Sequence, residues 1–365
     1  MSPTPARRWP AEWEPHQATW LGWPHHEPDW PGKFAAIPWV FAEIVRALHR
    51  RERIEILCDA PSVRDDAVRC LTAHGVDMAC CGLHVVGTDR VWLRDSGPTG
   101  VYGPRGLEWI QWGFNAWAKY DNYRKDELVA GAVAAISGLP STTALRPDGN
   151  GPLVLEGGGI ETNGEGVLLV TEEWLQTEVQ VRNPGLTPAD YEKAFAEHLG
   201  ITTTIWLGEG TVGDDTHGHI DDIARFVDAR TVALAYEPDP ADENHRRSAD
   251  NLARLERAAA SVRGGLRVVT LPFPRPVVME DERLPASYAN FYVANGVVIV
   301  PTFNDQNDRV ALSTLAELFP TREVVGIHSV DLVWGLGSLH CLTQQQPTAS
   351  RGWSAALRTR GASAG

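Results

Sequence analysis

A recurrence of about 60 residues constrains the fold of this chain more than any other feature. Apolar residues at helical spacing, often behind a capping residue, predict a first helix around Phe34 to Arg50 and further helix starts near Ser62, Arg124, Pro188, Asp242 and Asn307. The starts from Ser62 onward are 62, 64, 54 and 65 residues apart. Between them, short runs rich in Val, Ile and Leu read as strands: Ile54 to Cys58, Val167 to Thr171, Thr203 to Leu207, Val232 to Tyr236, Val268 to Leu271 and Val297 to Pro301. Asn295-Gly296 separates two runs and predicts a two-residue hairpin. The unit is two or three strands and one helix, repeated five times. A period this long points to a closed array of supersecondary units around an axis. A doubly wound sheet also alternates strands and helices, but with shorter units and, in nucleotide binders, a glycine loop leading into a helix. Gly157-Gly158-Gly159 is the dense glycine run here, and a strand follows it instead. No long Pro/Ser/Gly or charged tract breaks the pattern. The expectation is one α/β domain over residues 1–365, with the first 50 residues and the tail 348–365 as appendages.

Charge narrows the partner. The chain has 33 basic and 47 acidic residues, a formal charge of -14. A nucleic-acid binder needs a basic face to displace counterions, so nucleic acid is not an expected partner. An acidic balance suits a cationic small molecule, and also serves solubility alone. No signal peptide and no stretch of roughly 18 apolar residues is visible, so the chain is expected to be soluble and cytoplasmic without a membrane partner. Whether it forms a homo-oligomer is left open. The five cysteines at 58, 70, 80, 81 and 341 form no CxxC pair and no zinc spacing. They read as reduced thiols; Cys58, Cys70, Cys80 and Cys81 are expected to be buried.

Four segments combine rigid glycines with ionisable side chains: Trp92 to Pro98, Leu155 to Gly159, Gly213 to Asp221 and Gly335 to Gln344. Singly, each reads as a turn or solvated loop, since Asp, Gly and Pro favour turns for backbone reasons. Their spacing matches the period. Asp95 to Glu156 is 61 residues, Glu156 to His219 is 63 and His219 to Cys341 is 122. Equivalent places in units around an axis converge on that axis. Asp221, two residues from His219, would share its face on a strand. One Cys, one His and three carboxylates around a cavity would supply a nucleophile, a proton shuttle and a cage for a planar cation. A guanidinium, with its fixed fork of donors, matches two carboxylates best. Its delocalised carbon is a poor electrophile, so attack calls for a thiolate.

Two other readings use the same residues. His217-x-His219-x-Asp221 places three ligands on one strand face, as in a metal-dependent hydrolase, but leaves Cys341 without a role. A non-catalytic protein for a cationic ligand would keep the carboxylates but not the thiol. His340, next to Cys341 on a strand, would point to the opposite face and be structural. Trp92 and Trp117 suit the walls of a cation pocket and equally suit core packing.

The segments Trp92 to Pro98, Glu156 to Gly158, His219-x-Asp221 and His340-Cys341-x-Thr343-Gln344-Gln345 resemble the motifs of agmatine deiminases and the related bacterial peptidylarginine deiminases. Glu12-x-x-x-His16-Gln17-x-Thr19-Trp20-Leu21-x-Trp23-Pro24 and Phe114-Asn115-Ala116-Trp117 are similar to that family too, and the resemblance spans about residues 8–347. It implies five ββαβ units around a pseudo-fivefold axis, a five-bladed α/β propeller. It also implies hydrolysis of a guanidino group to a ureido group and ammonia, with no cofactor and no metal. By the resemblance, Cys341 is the nucleophile, Asp95 and Asp221 grip the guanidinium, His219 protonates the leaving ammonia and activates water, and Glu156 orients His219. Two places depart from the agmatine deiminase pattern: Ala118 and Lys119 replace a pair of glycines, and Gly335-Leu336-Gly337-Ser338 replaces three glycines and Asn. Both segments are expected to border the far end of the substrate, where Lys119 facing inward would repel an ammonium.

Overall fold

The computed structural model describes residues 7–349. Its strands form five larger sheets and one small hairpin, Val278–Met279 with Glu282–Arg283. Four of the sheets repeat one plan. They are Thr99–Gly103, Gly106–Gln111 and Ser141–Thr143; Glu161–Thr162, Val167–Thr171 and Thr203–Leu207; Ala224–Asp228, Thr231–Tyr236 and Arg267–Pro272; and Tyr292–Ala294, Val297–Thr302 and Glu323–His328. In each, the first two strands pair antiparallel and the last two parallel. A parallel pair needs a crossover, supplied in turn by the helices Val129–Ser137, Pro188–Leu199, Glu243–Ala258 and Gln306–Leu318. The strands Val167–Thr171 and Thr203–Leu207 have the predicted bounds. The helix starts at Pro188, Asp242 and Asn307 are right to within one residue because a side-chain cap marks each: Thr187 and Asp305 in capping boxes, and Asp242 accepting from Asn244 N–H.

The fifth sheet joins the two ends of the chain. Its order is Thr343–Pro347, His16–Gly22, Arg53–Cys58 and Cys81–Val85. His16–Gly22 therefore lies inside a sheet, antiparallel to the last strand and parallel to the next. The first 50 residues are thus not an appendage. The hairpin at Asn295-Gly296 forms, with Gly296 at φ 71°. Asn295 also fixes this N-terminal strand, accepting from His16 N–H at 3.0 Å and donating to its carbonyl at 2.8 Å.

Each large apolar cluster packs between two sheet units. Trp20 and Leu57 meet Trp109 and Val133; Ile110 and Val101 meet Leu168 and Phe195; Ile205 and Leu207 meet Val232 and Leu255; Leu271 meets Val300 and Leu315. A further cluster brings Ile54, Phe41 and Val45 against Ile299 and Ile327.

Several expectations are corrected. The helix expected at Arg124 starts at Val129, after a 3-10 turn at Asp126–Leu128. Asp126 accepts from the backbone N–H groups of Asp89 and Arg90, which holds this stretch to another loop. The first helix is a 3-10 turn, Phe34–Ala36, followed by Ile37–Leu48. Cys58 and Cys81 are buried as expected, but Cys70 and Cys80 are only partly so. Of the tail expected over residues 348–365, residues 350–365 lie outside the described residues.

Candidate active site

Each candidate residue stands just ahead of the first strand of a sheet. Asp95 lies in the short helix Leu93–Ser96 and Glu156 before the 3-10 turn Gly157–Gly159. His219 caps the 3-10 turn Ile220–Asp222, which carries Asp221, and Cys341 lies in the short helix Leu339–Leu342. These connections touch one another, so the predicted convergence is found. Asp95, Glu156, His219 and Asp221 are each at most 3% exposed, and Cys341 is 7% exposed. The expected strand setting is wrong at two points. His219 and Asp221 share a turn, and His340 and Cys341 share a helix, so His340 is buried in the same assembly instead of facing away.

His219 sits among carboxylates. Its Nδ1 is 3.8 Å from Asp95 Oδ1 and its Nε2 is 3.6 Å from Glu156 Oε2. Neither ring nitrogen has a hydrogen-bond partner, although both are buried. Glu156 is fixed from behind by Arg182 Nε at 3.1 Å and Trp174 Nε1 at 2.8 Å, and the Trp174 ring meets His219 edge-on. Asp95 accepts from Trp117 Nε1 at 2.9 Å and from Gly158 N–H at 3.0 Å. Asp221 Oδ2 is 2.7 Å from His340 Nδ1 and 3.6 Å from Cys341 Sγ, while its Oδ1 is buried and unpartnered. His340 Nε2 in turn meets Glu12 Oε2 at 2.8 Å, and Glu12 also holds Arg225 and Arg94. Gly158 has to be glycine, since a Cβ there would lie 2.7 Å from His219 Nδ1 and 2.8 Å from Asp95 Oδ1.

Burial and neighbouring charge set the protonation states. Burial alone would raise the Glu156 carboxyl, but the Arg182 guanidinium and His219 pull it down to about 2. Burial would lower His219, yet Asp95, Glu156 and Asp221 raise it to about 9. Asp95 rises to about 6, chiefly through burial, with Asp221 and Glu156 adding to the rise against His219. For Asp221, burial is outweighed by His340 and His219, which hold it below the usual carboxylate range. Burial and then Asp221, Asp222 and Asp95 push the Cys341 thiol well up.

A cavity of about 230 Å³ opens over this assembly, with Asp95, Cys341, Trp92 and Trp117 among its buried lining. Nearer solvent it is lined by Arg90, Tyr120, Asp215, Glu282 and Leu336, with buried Asp29 beside Arg90. Lys119 is not in the lining. It is 41% exposed in its side chain and ion-paired with Asp215. His217 turns to Thr177 and Glu173, away from the partners of His219, so the three-ligand arrangement of a metal site does not form. Among the described residues no group of three His, Cys, Asp or Glu side chains is placed to hold a metal ion.

Sequence reasoning did not single out Trp174, Arg182 or Asn290, and met Glu12 only through the resemblance. The spacing leaves room for a fifth equivalent place about midway between His219 and Cys341, near residue 280, but Asn290 lies ten residues beyond that midpoint. The segment Ala286 to Asn290 offers no glycine, carboxylate, imidazole or thiol to mark it.

Known proteins resemble this chain along nearly its whole length. The family model for Porphyromonas-type peptidyl-arginine deiminase matches residues 8–347. The agmatine deiminase of Pseudomonas aeruginosa is 32% identical over 364 residues, covering 93% of this chain and 95% of that protein. That of Ectopseudomonas mendocina is 33% identical over 362 residues, with the same shares covered. Among solved structures, the agmatine deiminase of Enterococcus faecalis superposes with a TM-score of 0.84 at 27% identity, covering 96% of this chain and 99% of that one. A cysteine-to-serine variant of C. jejuni agmatine deiminase with substrate bound gives 0.83 at 26% identity, covering 94% and 97%. The mixed α/β fold is shared along nearly the whole length, and with it the conclusion follows that this chain belongs to the Porphyromonas-type peptidyl-arginine deiminase family.

Proposed function

We propose that this chain is a cysteine hydrolase that converts agmatine to N-carbamoylputrescine and ammonia. One observation carries the reading: a thiol and a carboxylate, Cys341 and Asp95, share the buried lining of one cavity, with a charged His219 held beside Asp95 by Glu156. Asp95 and Asp221 accept the guanidinium N–H groups, and the unpartnered Asp221 Oδ1 is free for this. The carboxylates that disfavour the thiolate before substrate arrives are offset once a cation sits between them, so substrate binding itself promotes ionisation of Cys341. The thiolate attacks the guanidinium carbon and a C–S bond forms. His219 gives its proton to the departing nitrogen as the C–N bond breaks, leaving ammonia and an amidino thioester. His219 then takes a proton from water, whose oxygen displaces sulfur to leave the ureido product. Ammonia release from agmatine and a panel of guanidino compounds tests the reading, and no release from any of them overturns it.

We also propose that the five sheets close as a five-bladed α/β propeller about a pseudo-fivefold axis, forming one domain. Support comes from the ββαβ plan of four units, from the fifth sheet that joins the two ends of the chain, and from the cluster that packs the first unit on the last.

Agmatine is favoured over carboxylate-bearing guanidines by the outer lining. There Asp29, Asp215 and Glu282 outnumber Arg90, with Lys119 pairing with Asp215 from outside the lining, and Asp29 Oδ2 is buried without a partner. An ammonium is welcome in such a place and a carboxylate is repelled. Lys119→Gly frees Asp215 and should raise kcat/KM for agmatine by up to about fivefold relative to arginine, the scale of an exposed ion pair. The comparison is made across agmatine, arginine, an N-acylated arginine and a peptide ending in arginine. Preference for any carboxylate-bearing member overturns the substrate assignment and leaves the chemistry standing.

Two further results are expected. Gly158→Ala should cut kcat about 100-fold while the protein stays folded, because its methyl group displaces His219 or Asp95 from working geometry. Wild-type turnover in that variant would contradict the placement of both residues. The pH profile follows from the charge states. Cys341 must lose a proton, so kcat/KM should rise about tenfold per pH unit between about 6 and 9. Below about 6, Asp95 must also lose a proton to bind a cation, and the logarithmic slope should double. Above about 9, loss of the His219 proton cancels the gain and the profile should flatten. A slope that does not change near 6 would show that Asp95 need not be ionised.

A further inference from the structure

Units ending in Asp95, Glu156, Asp221 and Cys341 each send an ionisable or nucleophilic group to the centre; the remaining one sends Asn290. It stands two residues ahead of Tyr292–Ala294, as Cys341 stands two ahead of Thr343–Pro347. Asn290 is 0% exposed, and both ends of its amide are engaged. Its Nδ2 lies 3.2 Å from Cys341 Sγ and 3.0 Å from Asp222 Oδ1. Its Oδ1 accepts from Ser338 Oγ at 2.8 Å and from the backbone N–H of His340 at 2.9 Å.

These partners fix which way the amide points. A backbone N–H can only donate, so the atom facing His340 N must be the oxygen. The amide NH2 therefore faces sulfur and Asp222. This matters because the carboxylates of Asp95, Asp221 and Asp222 surround the thiol, and each disfavours an anion there. The backbone N–H of Ser338 acts in the opposite sense, and the Asn290 amide is the side-chain donor aimed at Sγ. A donor bonds a thiolate about twice as strongly as a neutral acceptor, so it favours the ionised form.

We propose that Asn290 is a catalytic residue whose side-chain N–H stabilises the Cys341 thiolate. The proposal rests on Cys341 being the nucleophile. Its test therefore reads the thiol directly and needs no turnover, so an active Cys341→Ser variant would sink the hydrolase mechanism while unchanged labelling here would sink only the role of Asn290.

The experiment measures alkylation of Cys341 by iodoacetamide at about pH 8, quantified on its peptide by mass spectrometry. The half-buried Cys80 in the same sample serves as the internal standard. Asn290→Asp keeps the acceptor toward Ser338 and His340 but removes the donor; Asn290→Ala removes both. Each should slow Cys341 labelling about 10- to 100-fold, the scale of one charge-assisted hydrogen bond, and kcat/KM for agmatine should fall in parallel. Loss of the fold would expose the thiol and speed labelling, so slowing cannot come from unfolding. Ser338→Ala loosens the same loop without touching the donor and should leave labelling within about threefold of wild type. Labelling at the wild-type rate or faster in both Asn290 variants overturns the proposal. Slowing by Ser338→Ala equal to that by Asn290→Asp overturns it too, since Asn290 would then act only through the loop.

Discussion

Cys341→Ser is expected to lower ammonia release from agmatine by at least about 10⁴-fold while the protein remains folded and still binds substrate. A hydroxyl ionises far above a thiol, and the carboxylates that already push Cys341 up would push an alkoxide further. A delocalised guanidinium carbon resists any neutral nucleophile. The residue is only 7% exposed and serine is smaller, so packing should change little. Binding should survive, since the proposed reading assigns it to Asp95 and Asp221; the related C. jejuni variant, with serine in place of a cysteine, was obtained with substrate bound. Kinetics of the variant, with calorimetry for agmatine binding, check both halves. Turnover within about tenfold of wild type would end the thiol mechanism.

The second large effect is expected at the carboxylates. Asp95→Asn and Asp221→Asn should each lower kcat/KM about 30- to 5000-fold, the equivalent of roughly 2 to 5 kcal/mol for leaving a buried charge half-paired. The two differ in how they fail. Asp95 accepts from Trp117 and from Gly158 N–H, so an amide there turns an NH2 against one of two donors and disturbs the site even before substrate arrives. The change Asp221→Asn can keep an oxygen toward His340, which puts the new NH2 where Oδ1 now lies unpartnered. That NH2 would confront the substrate's own donors, so the loss should fall chiefly on KM. Tight agmatine binding in both variants would return these residues to the role of turn formers.

Some of this was legible in one dimension. Buried strands such as Val167–Thr171 are continuous apolar runs, and helices such as Pro188–Leu199 carry their caps in the sequence, so local chemistry marked their bounds. The helix near Arg124 was misplaced because Asp126 is engaged by backbone groups of Asp89 and Arg90, a contact no local pattern announces. The first strand was missed as part of the array because its partners lie at both Arg53–Cys58 and the far end of the chain.

The site divides the same way. Cys341, His219, Glu156, Asp95 and Asp221 stood out by residue type, glycine context and a spacing near 61 residues, and the repeat by itself determined that they would meet. Their charge states did not follow from spacing. That His219 is raised and Asp95 is shifted toward neutrality depends on burial and on distances of a few ångströms, where Coulomb interactions are strong and steep. Lys119 looked like a threat to an ammonium until the fold paired it with Asp215. His340 looked structural until a helical turn, instead of a strand, set it against Asp221. Asn290, uncharged and without a motif, gained its place only when the fifth unit brought its amide to the sulfur. Periodicity in a chain determines which residues share a position, because equal units pack alike; which proton each of them holds is decided by neighbours that only the folded chain assembles.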